Sequence, residues 1–310
     1  MSGSNSLQHP LRGIVPPMVT PLSESNTLDA AGLERLIEHI LGGGVHGIFL
    51  LGTTGEGPSI SYELRRELIV RSCRQVDGRV PVLVGITDTS FHESVRVARW
   101  AAEAGAAALV LSTPYYFPSG QAELLEYLRH LVPALPLPVF LYNMPAMTKT
   151  IIEPETLRCV LALPGVLGLK DSSGDMAYFK AARAVADARP DWSVLVGPEL
   201  LLAESMALGG DGGVCGGANV CPRLFVDWFN ACEAGDTRLS AELAARAVEL
   251  SQLYRIGSHG SAIIKGIKCA LSVLDICDDV MAEPFARFAA PERARVRALI
   301  EQIAITKPIF

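Results

Sequence analysis

Short apolar runs alternate with longer amphipathic stretches along most of this chain, and that alternation restricts its fold more than any other property. Apolar runs of strand length fall at residues 14–20, 47–51, 80–85, 107–112, 138–142, 166–170, 193–197 and 212–215. Each is followed by a stretch of helical periodicity, at 29–41, 62–75, 90–104, 123–131, 155–163, 177–186, 200–208 and 223–234. In the first of these Leu33, Leu36, Ile37 and Ile40 share one face, and Ser90 offers an N-cap to the third. Strands that are apolar throughout and return through helices build a parallel sheet covered on both faces. Eight such units by about residue 234 match an α/β fold of the (β/α)8 TIM-barrel type. A doubly wound sheet is the competing architecture. It predicts fewer strands and a phosphate-binding first turn, whereas Gly42, Gly43 and Gly44 follow a helix and read as its stop.

Beyond residue 236 the strand signals cease, and 238–254, 262–274 and 292–303 read as three helices. The expected organisation is a polar N-terminal tail over 1–12, a catalytic barrel over 13–235 and a C-terminal three-helix extension over 236–310. A hydrophobic content of 49% with 19% charged residues supplies ample core. A net charge of −6 and the absence of any basic run argue against a nucleic-acid partner. No segment approaches the roughly 18 unbroken apolar residues of a membrane helix, and the first residues lack the apolar stretch of a signal peptide. The seven cysteines include no CxxC pair and read as reduced thiols. The expectation is a soluble, cytoplasmic protein with no membrane partner.

Barrel enzymes place their chemistry at the C-terminal ends of the strands. Lys170 ends the run Val166-Leu167-Gly168-Leu169 and is followed by Asp171-Ser172-Ser173-Gly174. An ammonium there is costly to desolvate, which favours the neutral amine, and such an amine attacks carbonyl carbons to form Schiff bases. The alternative is a lysine that has simply reached solvent at a strand end. Other strand ends carry Gly52-Thr53-Thr54-Gly55-Glu56-Gly57, Thr113-Pro114-Tyr115-Tyr116 and Tyr142-Asn143-Met144-Pro145. Taken singly, the first is a tight turn in which glycines supply positive φ, and the tyrosines are strand formers or an apolar cover. Taken together, tyrosines, threonines and a lysine at one end of a barrel form a proton-relay set around an amine nucleophile, which imine formation and hydrolysis require.

These motifs, in this order and with Gly209-Gly210-Asp211-Gly212-Gly213-Val214-Cys215-Gly216-Gly217-Ala218-Asn219, resemble those of the class I, Schiff-base-forming aldolases that include dihydrodipicolinate synthase and N-acetylneuraminate lyase. The resemblance runs from about Leu11 into the C-terminal helices. It implies that Lys170 forms an imine with pyruvate or a pyruvate-like 2-oxo acid, so that no cofactor beyond that covalent imine is needed. It further implies that Tyr142 is the general acid/base and that Thr53 connects it to Tyr116 of a neighbouring subunit, in a homo-oligomer (dimer or tetramer). Gly52, Thr54 and the loop amides would hold the pyruvyl carboxylate, with Ser172 and the Val214 backbone lining the same pocket.

Departures from the family pattern bear on the substrate. Dihydrodipicolinate synthases carry an arginine five residues after the catalytic tyrosine, where this chain has Met147. Lys149, in a different register, does not replace a bidentate guanidinium. Sialate lyases hold sugar hydroxyls with an Asp-Glu pair and a serine, and the matching positions here are Glu199, Leu200 and Gly216. A long polyol would leave hydroxyls unpaired at about 1–3 kcal/mol each. A shorter 2-keto-3-deoxy acid, or one with a more apolar tail, fits better. Glu199 either accepts from one hydroxyl or is a carboxylate at a helix N-terminus. The six histidines show no HxxxH or His-carboxylate ligand spacing, so a metal-dependent aldolase is not expected. A dehydratase on the same lysine, aspartate-semialdehyde condensation and a non-catalytic sugar-acid binder remain the alternatives.

Overall fold

The computed structural model describes residues 10–305. Among them the main sheet has eight parallel strands: β1 (Gly13–Ile14), β4 (Ile48–Leu50), β5 (Val82–Gly85), β6 (Ala108–Ser112), β7 (Val139–Asn143), β8 (Val166–Asp171), β9 (Ser193–Val196) and β10 (Gly212–Gly213). A separate hairpin pairs β2 (Leu22–Glu24) with β3 (Thr27–Leu28). The order β1-β10-β9-β8-β7-β6-β5-β4 leaves β1 and β4 at the two ends. The backbone closes that gap: the Met18 amide donates to the Phe49 carbonyl and the Phe49 amide to the Pro16 carbonyl, each at 2.9 Å. The sheet is therefore a closed (β/α)8 barrel with helices outside it.

The first strand, expected over 14–20, is assigned only over Gly13–Ile14, because Pro16 and Pro17 have no amide to give to a ladder. The expected helix 200–208 is a 3-10 turn, Glu199–Leu201, running into the α-helix Leu202–Ala207. The β2–β3 hairpin was not anticipated; its turn residue Asn26, at φ 56, is the local signal for it. The glycine stop is present: the helix Ala30–Gly42 ends with the Gly43 amide on the Ile40 carbonyl and Gly44 at φ +79. After the barrel come the helices Thr237–Ser251, Ala262–Val273 and Ala290–Gln302. Residues 1–9 of the expected tail and 306–310 of the expected extension lie outside the described residues.

Two apolar layers follow from strand alternation. One lies between strands and helices; the other fills the barrel with residues such as Val15, Phe49, Val110, Phe140 and Leu195. In β7 the alternation is regular, with Val139 and Leu141 outward and Phe140 and Tyr142 inward. In β8 it breaks. Val139 pairs with Val166 but Phe140 with Gly168, so one step on β7 faces two on β8. That bulge puts Leu167 inside, Leu169 outside and Lys170 inside again. Gly168 makes it possible, since a Cβ there would stand 2.4 Å from the Ser193 carbonyl oxygen.

Candidate active site

Lys170 lies opposite Tyr142 in the β7–β8 register, at the C-terminal end of the barrel. It is only 6% exposed, and its Nζ sits 3.9 Å from the Tyr142 ring centroid and 5.1 Å from that of Phe49. A lysine that had merely reached solvent would not be packed between two rings. The Tyr142 hydroxyl is 3.3 Å from Thr53 Oγ1. Burial pushes this phenol up, but the Lys170 charge and hydrogen bonds with Thr53, Ser172 and Lys170 outweigh it, holding it below the ordinary tyrosine value. A phenol shifted this way beside an amine is suited to pass a proton in both directions. Ser112 Oγ donates to the Tyr142 carbonyl at 2.8 Å and fixes the strand end.

These groups line a cavity of about 640 Å³. Gly52, Thr53, Thr54, Ser172, Val214, Met147 and Glu199 all reach its wall. Tyr116 does not. It is 70% exposed and stacked edge-to-face on Phe117, so within one chain it makes no contact with Thr53 that completes a relay.

The Gly52–Gly57 loop departs from expectation in its backbone. Positive φ is taken by Leu51 (φ 59) and Glu56 (φ 55), not by the glycines. The glycines instead permit close approach: a Cβ on Gly57 would meet the Leu51 carbonyl oxygen at 2.3 Å, and one on Gly55 the Met18 oxygen at 2.8 Å. A bulky residue at positive φ beside a reactive site is stored strain that the surroundings must hold. Part of that hold comes from Glu56, which is buried, pairs with Lys268 and accepts from the Ala282 amide at 2.8 Å.

Glu199 stands at the N-terminus of its 3-10 turn, and its carboxylate is buried and bonded to groups from other elements. Tyr254 donates to its Oε1 at 2.6 Å and the Gly217 amide to its Oε2 at 2.7 Å. Burial pushes the carboxyl above its ordinary range despite those donors. Behind Lys170, Asn143 Nδ2 donates to Asp171 Oδ1 at 2.8 Å and Ser173 Oγ to Oδ2 at 2.9 Å, which ties the two strand ends together. Sequence reasoning missed Tyr254, Lys268, Ile263 and Phe285. All four follow the barrel in sequence, and no strand-end pattern marks them.

Comparison with known proteins bears on this arrangement directly. A sequence profile described as the dihydrodipicolinate synthetase family matches residues 10–303. The chain belongs to that family. Membership places it among pyruvate-dependent lyases and aldolases. The chain is 30% identical over 297 residues to 4-hydroxy-tetrahydrodipicolinate synthase of Leptothrix cholodnii, covering 96% of this chain and 99% of the relative. It is 32% identical over 255 residues to a protein of Escherichia coli K12 named "Probable 2-dehydro-3-deoxy-D-pentonate aldolase YjhH", covering 82% and 85%. Among solved structures, dihydrodipicolinate synthase of Bacteroides thetaiotaomicron superposes with a TM-score of 0.93 at 49% identity, covering 95% of this chain and 99% of that one. YagE of Escherichia coli K12, described as a prophage protein of the dihydrodipicolinic acid synthase family in complex with pyruvate, gives a TM-score of 0.90 at 28% identity, covering 96% and 99%. Within this family member, no helix of the described residues is long and apolar enough to cross a membrane.

Proposed function

We propose that this family member is a Schiff-base lyase for a 2-keto-3-deoxy acid, making or breaking the C3–C4 bond with Lys170 as nucleophile. The observation that carries the reading is the burial of Lys170 Nζ against Tyr142, whose hydroxyl meets Thr53. In the cleavage direction the Lys170 amine attacks C2 and water leaves, giving a protonated imine. The C4 hydroxyl gives up its proton to the Tyr142 oxygen, the C3–C4 pair flows toward the imine nitrogen, and an aldehyde departs. Tyr142 returns a proton to C3 of the enamine, and water then releases pyruvate and the free lysine. Thr54 and the amides of the Gly52–Gly57 loop hold the pyruvyl carboxylate. The imine is the whole of the covalent chemistry, and no further cofactor enters the scheme.

Met147 supports an aldehyde partner without a second carboxylate over aspartate semialdehyde, since it offers no cation to hold one. The second reading, condensation of pyruvate with aspartate semialdehyde, draws on the 49% identity to the Bacteroides protein described as dihydrodipicolinate synthase. In the same proposal residues 13–235 are the catalytic barrel and 236–310 a helical extension, in a cytoplasmic homo-oligomer. Exposed Tyr116, whose role in the family resemblance belongs to a neighbouring subunit, supports the oligomer.

The test is borohydride reduction with pyruvate, followed by a substrate panel. Wild type should gain a stable pyruvyl adduct on Lys170, and Lys170→Ala should lose adduct and turnover together while remaining folded. Trapping by Lys170→Ala at the wild-type rate refutes the assignment. Pyruvate release or consumption with 2-keto-3-deoxy acids, sialate and aspartate semialdehyde then ranks the two readings.

A further inference from the structure

We propose that the outer wall of the cavity selects an aldehyde with an uncharged, apolar tail, branched aliphatic or aromatic, as the partner of pyruvate. This rests on the Schiff-base reading of Lys170 given above, and two independent features of the wall support it.

The first is charge. Four charged side chains line the cavity among the described residues: Glu56, Arg65, Lys170 and Glu199. Glu56 is committed to Lys268 and the Ala282 amide. Arg65 lies 3.4 Å from Asp88, gives its Nε to the Ile60 carbonyl at 3.2 Å and stacks 4.6 Å over the Tyr62 ring. Glu199 is held by Tyr254 and Gly217. That leaves Lys170, which is consumed as the nucleophile. The pyruvyl carboxylate has the Gly52–Gly57 loop; a second carboxylate in the substrate would shed water with no free cation among the described residues of the wall to replace it.

The second is apolar surface. Ten large apolar side chains are exposed among the described residues, and four of them, Met147, Leu200, Ile263 and Phe285, line this one cavity. Scattered exposed apolar residues are ordinary on any protein. Four from separate stretches of chain, all lining one cavity, are not scattered. Each is between 39% and 52% exposed, so a ligand seated against them removes apolar area from water. A polyol placed there would trade water for side chains without hydrogen-bonding groups of any strength. One polar group of the ligand is provided for. Glu199 keeps lone-pair capacity beyond its donors Tyr254, Gly217 and Gly216 and lies in the same wall, where a hydroxyl at C4 can use it.

In the synthetic direction the pyruvate imine on Lys170 loses a C3 proton and becomes an enamine. C3 attacks the aldehyde carbon and the C3–C4 bond forms. The carbonyl π pair moves to oxygen, which takes up a proton as the C4 hydroxyl. Water adds to the iminium and releases a 4-hydroxy-2-oxo acid and the free amine.

The experiment measures pyruvate consumption with 3-methylbutanal, benzaldehyde, D-erythrose and succinic semialdehyde, alongside borohydride trapping of pyruvate on the same preparation. The expected result is trapping together with a kcat/KM for the two apolar aldehydes at least about tenfold above the other two, the scale of discrimination an apolar pocket gives. Ile263→Asn should abolish that advantage. Trapping with any other rank order, or with no turnover of the apolar aldehydes, overturns the apolar-tail inference and leaves the Schiff-base reading standing. Absence of trapping overturns both.

Discussion

Lys268 and Glu56 form an ion pair from which water is excluded, joining the helix Ala262–Val273 to the loop that carries Thr53 and Thr54. Lys268 has no solvent exposure, and its ammonium also donates to the Val280 carbonyl at 2.7 Å. Burial pulls its pKa down and Glu56 pushes back. Replacing Lys268 by Met leaves Glu56 uncompensated, a change that costs about 3–5 kcal/mol. Urea unfolding of Lys268→Met should show that loss, and adding Glu56→Gln should recover most of it while keeping an acceptor for Ala282. Because the double variant no longer ties the loop to the helix, its KM for pyruvate should remain raised with kcat changed less. Full recovery of KM would reduce the pair to a packing element.

Tyr142→Phe keeps the ring that packs Lys170 and removes only the hydroxyl bonded to Thr53. A fall in kcat of about 10²–10⁴ is expected, the usual worth of a positioned acid/base. Thermal unfolding should change little. Normal turnover would leave Tyr142 as a wall of the cavity.

Glu199 makes a prediction about pH. Its carboxyl is protonated in folded and unfolded chains alike below its ordinary value of 4.5. As pH rises past that point the unfolded chain releases the proton while the folded chain retains it, so this group's stabilisation is lost until pH passes the raised folded value. Glu199→Gln removes the effect. Its urea midpoint relative to wild type should therefore climb with pH above about 4.5 and then level off, in a series from about pH 4 to pH 8. A difference that stays constant across the series would show that burial does not shift this carboxyl.

Tyr116 lies outside the cavity of its own chain and should act only through an assembly. Tyr116→Phe is expected to slow turnover less than Tyr142→Phe does, by about tenfold or less. Interface variants that hold the protein monomeric should be impaired with every cavity residue intact. Sedimentation and activity measured on the same dilution series check this, and fully active monomers would remove Tyr116 from the relay.

The barrel and the reactive strand ends were legible in the sequence because their signals are local. A helix repeats every 3.6 residues and a buried strand reads apolar within a few positions, so eight βα units and the positions of Lys170, Tyr142, Thr53 and Thr54 followed from short stretches of chain. Met147 and Glu199 were found through a resemblance of motifs, residue by residue. What the local pattern did not contain was direction and distance. Unbroken alternation from an inward Leu167 points Lys170 out of the barrel, and only the bulge at Gly168, made against Phe140 and Ser193 on neighbouring strands, turns it in. Positive φ falls on Leu51 and Glu56, while Gly55 and Gly57 are used for close approach to the Met18 and Leu51 carbonyls, a division that only the packed loop decides. The partners of Glu56 and Glu199 are Lys268 and Tyr254, and the apolar rim adds Ile263 and Phe285. Those side chains meet the barrel only after the C-terminal helices pack beside it, and a contact made between distant parts of a chain by burial carries no period in the sequence.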